Sequence, residues 1–194
     1  EIYTLSLHDA LPIYDVTWEF KLRPGVKWHN GDPFTAEDVR FSIERTYDPN
    51  AKTVVATVFS MVERIEVVDE LTIRFVTSAP DPIFPNRHGS WGSYIIPAKY
   101  FSEVGEEGFR QHPIGTGPYK FVEWVRDDRL VLEANLDYWN GAPPVQRIVV
   151  RPTPEPAAAV AALQTGEVHL ISQVPPDHAD TISSGGTKLV RGPY

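Results

Sequence analysis

The chain has 194 residues, 42% of them hydrophobic, which is enough to bury a core in one domain or two small ones. Its 18 basic and 26 acidic residues leave a net charge of −8, and no Lys/Arg cluster marks a nucleic-acid surface. Cysteine is absent, which excludes disulfides, thiolate nucleophiles and Cys-ligated zinc, and no run of eighteen apolar residues is present to cross a membrane.

Glu1–Ile13, EIYTLSLHDALPI, lacks the basic start of a secretory signal, and His8, Asp9 and Pro12 interrupt its apolar residues. All thirteen positions are similar to one reading frame of a common short-read sequencing adapter. The segment is therefore set aside from fold reasoning as an assembly artefact. If the true N-terminus is lost with it, the lack of a signal peptide carries no information about location.

Val16, Trp18, Phe20 and Leu22 alternate with polar residues and predict a half-buried strand, ended by Arg23-Pro24-Gly25. Val26–Trp28 reads as a short extended piece. Asn30-Gly31 predicts a two-residue type I′ hairpin turn. Thr35 has N-cap character with Asp38 at capping-box spacing, and Phe34 and Val39 have hydrophobic-staple spacing. Ala36, Val39, Ile43 and Tyr47 then share one helical face until Asp48-Pro49-Asn50 stops the helix.

The twelve residues Trp28–Val39 hold a histidine and three carboxylates, which invites a metal or catalytic reading. His29 has no second histidine at i+4, and the carboxylates sit at turn and helix-start positions, so the structural reading is preferred.

Further on, Val54–Met61 is read as a helix, and Ile65–Val68 and Leu71–Val76 as strands. Ser78–Asn86 is proline-rich and irregular, His88–Tyr94 is a small-residue loop with two aromatics, and Pro97–Val104 is a short helix. Pro113–Tyr119, PIGTGPY, holds a Gly-x-Gly without the third glycine or following helix of a dinucleotide fingerprint; backbone approach or a hinge is preferred to phosphate binding.

Tyr119–Val125 and Leu130–Ala134 read as a strand pair across Arg126-Asp127-Asp128, and Val145–Arg151 as another strand. Pro156 suits the first position of a helix over Ala157–Thr165, and Gly166 suits its C′ position. Val168–Ile171 reads as a returning strand, allowing a parallel crossover, and Lys188–Arg191 as the start of one more.

Two blocks, TWEFKLRPGVKWHNGDPFTAEDVRFSIER (Thr17–Arg45) and the run from Pro113 to Ile171 that opens PIGTGPYKFVEW, resemble the family 5 solute-binding proteins of ABC importers. The likeness covers nearly everything from Thr17 onward. It implies a mixed α/β fold of the type II periplasmic-binding-protein kind, present here in part: the first lobe and its extra subdomain.

The implied layout is the non-native 1–13, an extra subdomain over 14–112, a first-lobe segment over 113–172, and 173–194 as the start of a crossing to a second lobe that is mostly missing. The implied function is capture of a solute, an oligopeptide or dipeptide first and a metal chelate or glycan next, and delivery to ABC permease subunits. The implied location is the periplasm or the outer face of the bacterial cytoplasmic membrane. Attachment there would be through the permease or a lipid anchor lost with the N-terminus.

No catalytic residue, metal or cofactor is implied. Gly115, Thr116 and Gly117 are the expected cleft residues, with Trp91 and Tyr94 beside them; a tight strand entry with core aromatics is the competing structural reading. A secreted hydrolase or esterase, which lacks a Gly-x-Ser-x-Gly elbow here, and a non-catalytic interaction module are the alternatives.

Overall fold

The computed structural model describes residues 7–48, 56–89, 94–172, 174, 176–179, 182 and 188–190. Four strands make the first sheet: β1 (Leu7–Tyr14), β2 (Thr17–Leu22), β3 (Val62–Asp69) and β4 (Thr72–Thr77). Their order is β1-β2-β4-β3, antiparallel throughout. Phe20 and Leu22 point into the core while Lys21 is exposed, as the period of two requires.

The adapter-like segment, expected to stand outside the fold, supplies most of β1 at the edge of this sheet. Pro12 lies opposite Trp18, beside a register shift, at an edge where its missing N–H costs no central ladder bond. Leu11, Ile13 and Tyr14 are exposed. The segment thus pairs through its backbone, and those three side chains add little to the core.

Helix α1 (Ala36–Tyr47) packs on β3 and β4. Its capping box forms, with the Asp38 carboxylate accepting from the Thr35 backbone N–H at 2.9 Å. Phe34 and Val39, the staple pair, are both buried in one cluster with Phe20, Trp28, Ile43 and Phe75. The turn before the helix differs from the type I′ expectation. Only Gly31 has positive φ (92°), the Gly31 N–H donates to Trp28 O at 2.8 Å, and the Trp28 N–H donates to Asp32 O at 2.8 Å. The loop is therefore three residues long and closes on a left-handed glycine, which leaves Asn30 free of the positive φ that a I′ turn would impose.

Val54 and Val55 lie outside the described residues, and 56–61 forms turns, not a helix, with Phe59 buried at the core. Helix α2 (Phe84–Arg87) is a single turn that begins within the proline-rich stretch Ser78–Asn86, read as irregular, and ends one residue past it. Helix α3 (Ala98–Gln111) is longer than expected, and it bends at Gly105, whose φ of 71° is not helical.

The strands β5 (Tyr119–Val125), β6 (Arg129–Ala134) and β7 (Arg147–Val150) form a second sheet in the order β5-β6-β7. Asp127 takes a positive φ of 60° between β5 and β6, a conformation Asp tolerates better than most residues.

Helix α4 (Pro156–Gln164) starts on its proline and ends in a Schellman motif. The Gly166 N–H donates to Leu163 O, the Glu167 N–H to Ala162 O, and Gly166 has φ 76°. Val168–Ile171 is not a strand, and Leu170 is 82% exposed. The parallel crossover is thus not closed among the described residues, since alternating side chains make no strand without a neighbouring backbone to pair with. Lys188–Val190 is likewise not a strand, and Arg191 is outside the described residues.

By contact density the chain divides into two compact units, Glu1–Glu123 with Val131–Ile148, and Trp124–Leu130 with Val149–Tyr194. The aromatic core belongs to the first. Val160 and Ile182 are buried in the second.

Candidate functional site

The charged corner at Trp28–Val39 resolves into separate structural contacts. Asp38 is buried, and its carboxylate accepts from Trp28 Nε1 at 3.1 Å, from Thr35 N and Oγ1, and from the Ala98 backbone N–H at 2.9 Å. Glu37 pairs with Arg40 on the helix surface. Asp32 accepts from Asn30 Nδ2 and lies 3.3 Å from Lys99 Nζ. Each carboxylate is engaged with its own partner, so the three do not converge on a shared centre.

His29 turns the other way, toward the Gly-x-Gly segment. Its backbone N–H donates to Gly115 O at 2.9 Å. The Gly115 N–H in turn donates to His29 Nδ1 at 3.1 Å, and His29 Nε2 lies 3.0 Å from Gly117 O. An amide N–H can only donate and a carbonyl can only accept, so this geometry assigns the ring proton to Nε2. Burial, opposed by the bond to Gly117 and aided by the charge of Lys120, pushes the His29 pKa below its ordinary value. The neutral tautomer is the one the loop needs.

Gly117 O accepts a second hydrogen bond, from Asn135 Nδ2 at 3.1 Å, while the Asn135 backbone N–H donates to Pro118 O at 2.8 Å. Asn135 is buried and also accepts from the Asp137 N–H through Oδ1. His29 and Asn135, over a hundred positions apart in the chain, therefore grip one carbonyl. From sequence, His29 enters only through the metal or catalytic reading of Trp28–Val39, and Asn135 not at all. No local signal links the two, since His29 lies in the Trp28–Val39 corner and Asn135 just after β6.

Gly115 and Gly117 do not have positive φ, so neither glycine is required by backbone conformation. A Cβ on Gly115 would lie 3.6 Å from His29 Cε1, an ordinary contact. A Cβ on Gly117 would meet nothing within 4 Å. Among the described residues the N–H groups of Thr116 and Gly117 donate to no backbone carbonyl. The segment leads into β5, not into a helix, and so lacks the geometry of a phosphate-binding loop. Tyr94 is 72% exposed ahead of α3, with no hydrogen bond or ring contact to this segment among the described residues. Trp91 lies outside them.

A second histidine has a different setting. His88 is 2% exposed, ringed by Phe20, Phe59, Phe75 and Phe84 with centroids 4.8–5.2 Å away. Neither ring nitrogen has a hydrogen-bond partner among the described residues, and burial lowers its pKa to about 3. It is a neutral member of the aromatic core.

Residues 15–194 match the family model described as bacterial extracellular solute-binding proteins, family 5 Middle. The glutathione-binding protein GsiB of Pectobacterium atrosepticum is 33% identical over 169 residues, covering 86% of this chain and 32% of that protein. The structure of the oligopeptide-binding protein AppA from Bacillus subtilis, in complex with a nonapeptide, superposes with a TM-score of 0.83 at 27% identity, over 93% of this chain and 37% of that one.

NikZ from Campylobacter jejuni, in complex with Ni(L-His), superposes with a TM-score of 0.76 at 25% identity, over 84% and 33%. The chain spans about a third of the length of the curated relatives it matches. The fold is the mixed α/β one of periplasmic binding proteins, present in part. With a family model that matches residue 15 to the last residue, this chain belongs to the family 5 extracellular solute-binding proteins.

Proposed function

We propose that this chain is part of the substrate-binding component of an ABC importer, and that the backbone of Gly115, Thr116 and Gly117 forms part of the wall that meets the solute. The observation that carries this reading is Gly117. Its φ does not require glycine, the space above its Cα is open, and its carbonyl is held by two buried or half-buried side chains. A glycine that nothing internal requires suits close approach of another backbone.

An oligopeptide or dipeptide is the solute class that fits first. The adjacent Thr116 and Gly117 N–H groups would serve peptide carbonyls, and AppA and GsiB are named for peptide and glutathione binding. Tyr94, exposed ahead of α3, and Trp91, which lies outside the described residues, are weaker candidates for the same cleft. In the proposed layout 14–112 is an extra subdomain, 113–172 a first-lobe segment and 173–194 the start of a crossing. Binding would involve no covalent chemistry. A solute that contacts both walls of a cleft favours the closed state through differential affinity alone, and a permease then receives it. The site of action is outside the cytoplasmic membrane, as for the family.

The test is genetic and chemical. The gene should neighbour permease and ATPase genes, and the product of the longest reading frame containing this chain should bind peptides in a fluorescence titration. Unrelated metabolic neighbours together with no binding to peptides, glutathione or Ni(L-His) would overturn the reading.

A further inference from the structure

We propose that His29 is the positioning residue of the Gly115–Gly117 wall: its Nε2–H tautomer sets two backbone groups of that segment at once, and protonation releases one of them. The importance of this for solute capture rests on the reading above; the hydrogen-bond geometry stands apart from it. Three bonds join His29 to the segment, two of them through the ring and on opposite sides of it. The Nδ1 lone pair is the acceptor for the Gly115 N–H. A proton on Nδ1 converts that acceptor to a donor facing a donor, so the Gly115 amide must turn away. Nε2 keeps its proton in both states, so the Gly117 carbonyl stays held, with Asn135 as its second donor.

Among the described residues, one charged group acts on the ring. Lys120, on β5, opposes protonation. Asp32, three residues along the same turn, has its carboxylate engaged by Asn30 and Lys99. Gly115 then pivots while Gly117 stays, which makes the wall sensitive to acid at one end.

The experiment uses the 194-residue chain labelled with ¹⁵N. At neutral pH the His29 imidazole should show an unprotonated Nδ1 and a protonated Nε2. On acidification the Gly115 amide shift should follow the His29 titration, with an apparent pKa below 6.5, while Gly117 moves little. His29→Phe keeps an aromatic ring but removes both nitrogens, and should raise Gly115 amide exchange by roughly tenfold relative to the α1 amides. His29→Ala serves as the check if Phe is not accommodated.

An Nδ1–H tautomer, a Gly115 amide that ignores the His29 titration, or exchange that rises equally across α1 would each overturn the proposal. Added peptide that fails to shift Gly115–Gly117 in the longest reading frame, with the tautomer and titration as expected, would overturn the cleft reading alone.

Discussion

Trp28 Nε1 donates to Asp38 Oδ2 across 3.1 Å, joining the strand side of the HNGDPF corner to the first turn of α1. Both residues are buried, and the other carboxylate oxygen takes the Ala98 N–H at the start of α3. One carboxylate thus ties three chain segments, and all of its partners are donors.

Asp38→Ala should cost about 3 kcal/mol or more, because it strands the Trp28, Thr35 and Ala98 donors at once. Asp38→Asn should cost about 2 kcal/mol, since either orientation of the amide faces its NH2 to a donor. Urea denaturation of the three proteins measures both, and an Asn variant as stable as the parent would contradict the account.

His88 makes stability depend on pH. Its pKa is near 6.5 unfolded and about 3 folded, because burial among phenylalanines disfavours the charged ring. Above pH 6.5 both states are neutral and the residue imposes no penalty. As pH falls toward 3 the unfolded chain binds the proton first, so stability should drop by about 1.4 kcal/mol per unit. Unfolding midpoints at pH 7, 6, 5 and 4 should fall more steeply for the parent than for His88→Phe. Parallel curves would show that His88 is not the group responsible.

Glycines 31 and 117 should part company. Gly31→Ala forces a side chain into φ 92° and should cost about 1–2 kcal/mol. Gly117→Ala has no such strain and an open Cβ direction, so stability should stay within about 0.5 kcal/mol. Under the proposed function the same change should weaken solute binding in the longest reading frame. Equal losses of stability at the two positions would remove the argument from Gly117.

The 194-residue chain alone should show no thermal shift with a peptide library. It spans about a third of its relatives' length, and in the proposed mechanism the affinity needs contacts from both walls of a cleft. A shift corresponding to micromolar affinity would mean that the described residues already hold a complete site.

Local rules carried much of the fold. The alternation at Trp18, Phe20 and Leu22, the Thr35–Asp38 box and the Gly166 stop depend on neighbours within a few residues, and each appears where the chain placed it. Val168–Ile171 failed because a strand is a pairing, and its alternation carries no information about a partner. The turn at Gly31 failed because Asn-Gly is compatible with more than one loop length.

The sequence by itself determined the family, the caps, most strands and the absence of thiol chemistry, since these follow from residue type and short spacing. Only the tertiary structure decided that His29 bonds to Gly115 and Gly117, and that His88 lies neutral among phenylalanines. It alone brought Asn135 and His29 to the same carbonyl. Hydrogen-bond partners 86 and 88 residues apart share no local signal; folding brings them together, and a half-buried imidazole takes its tautomer from whichever backbone groups it then meets.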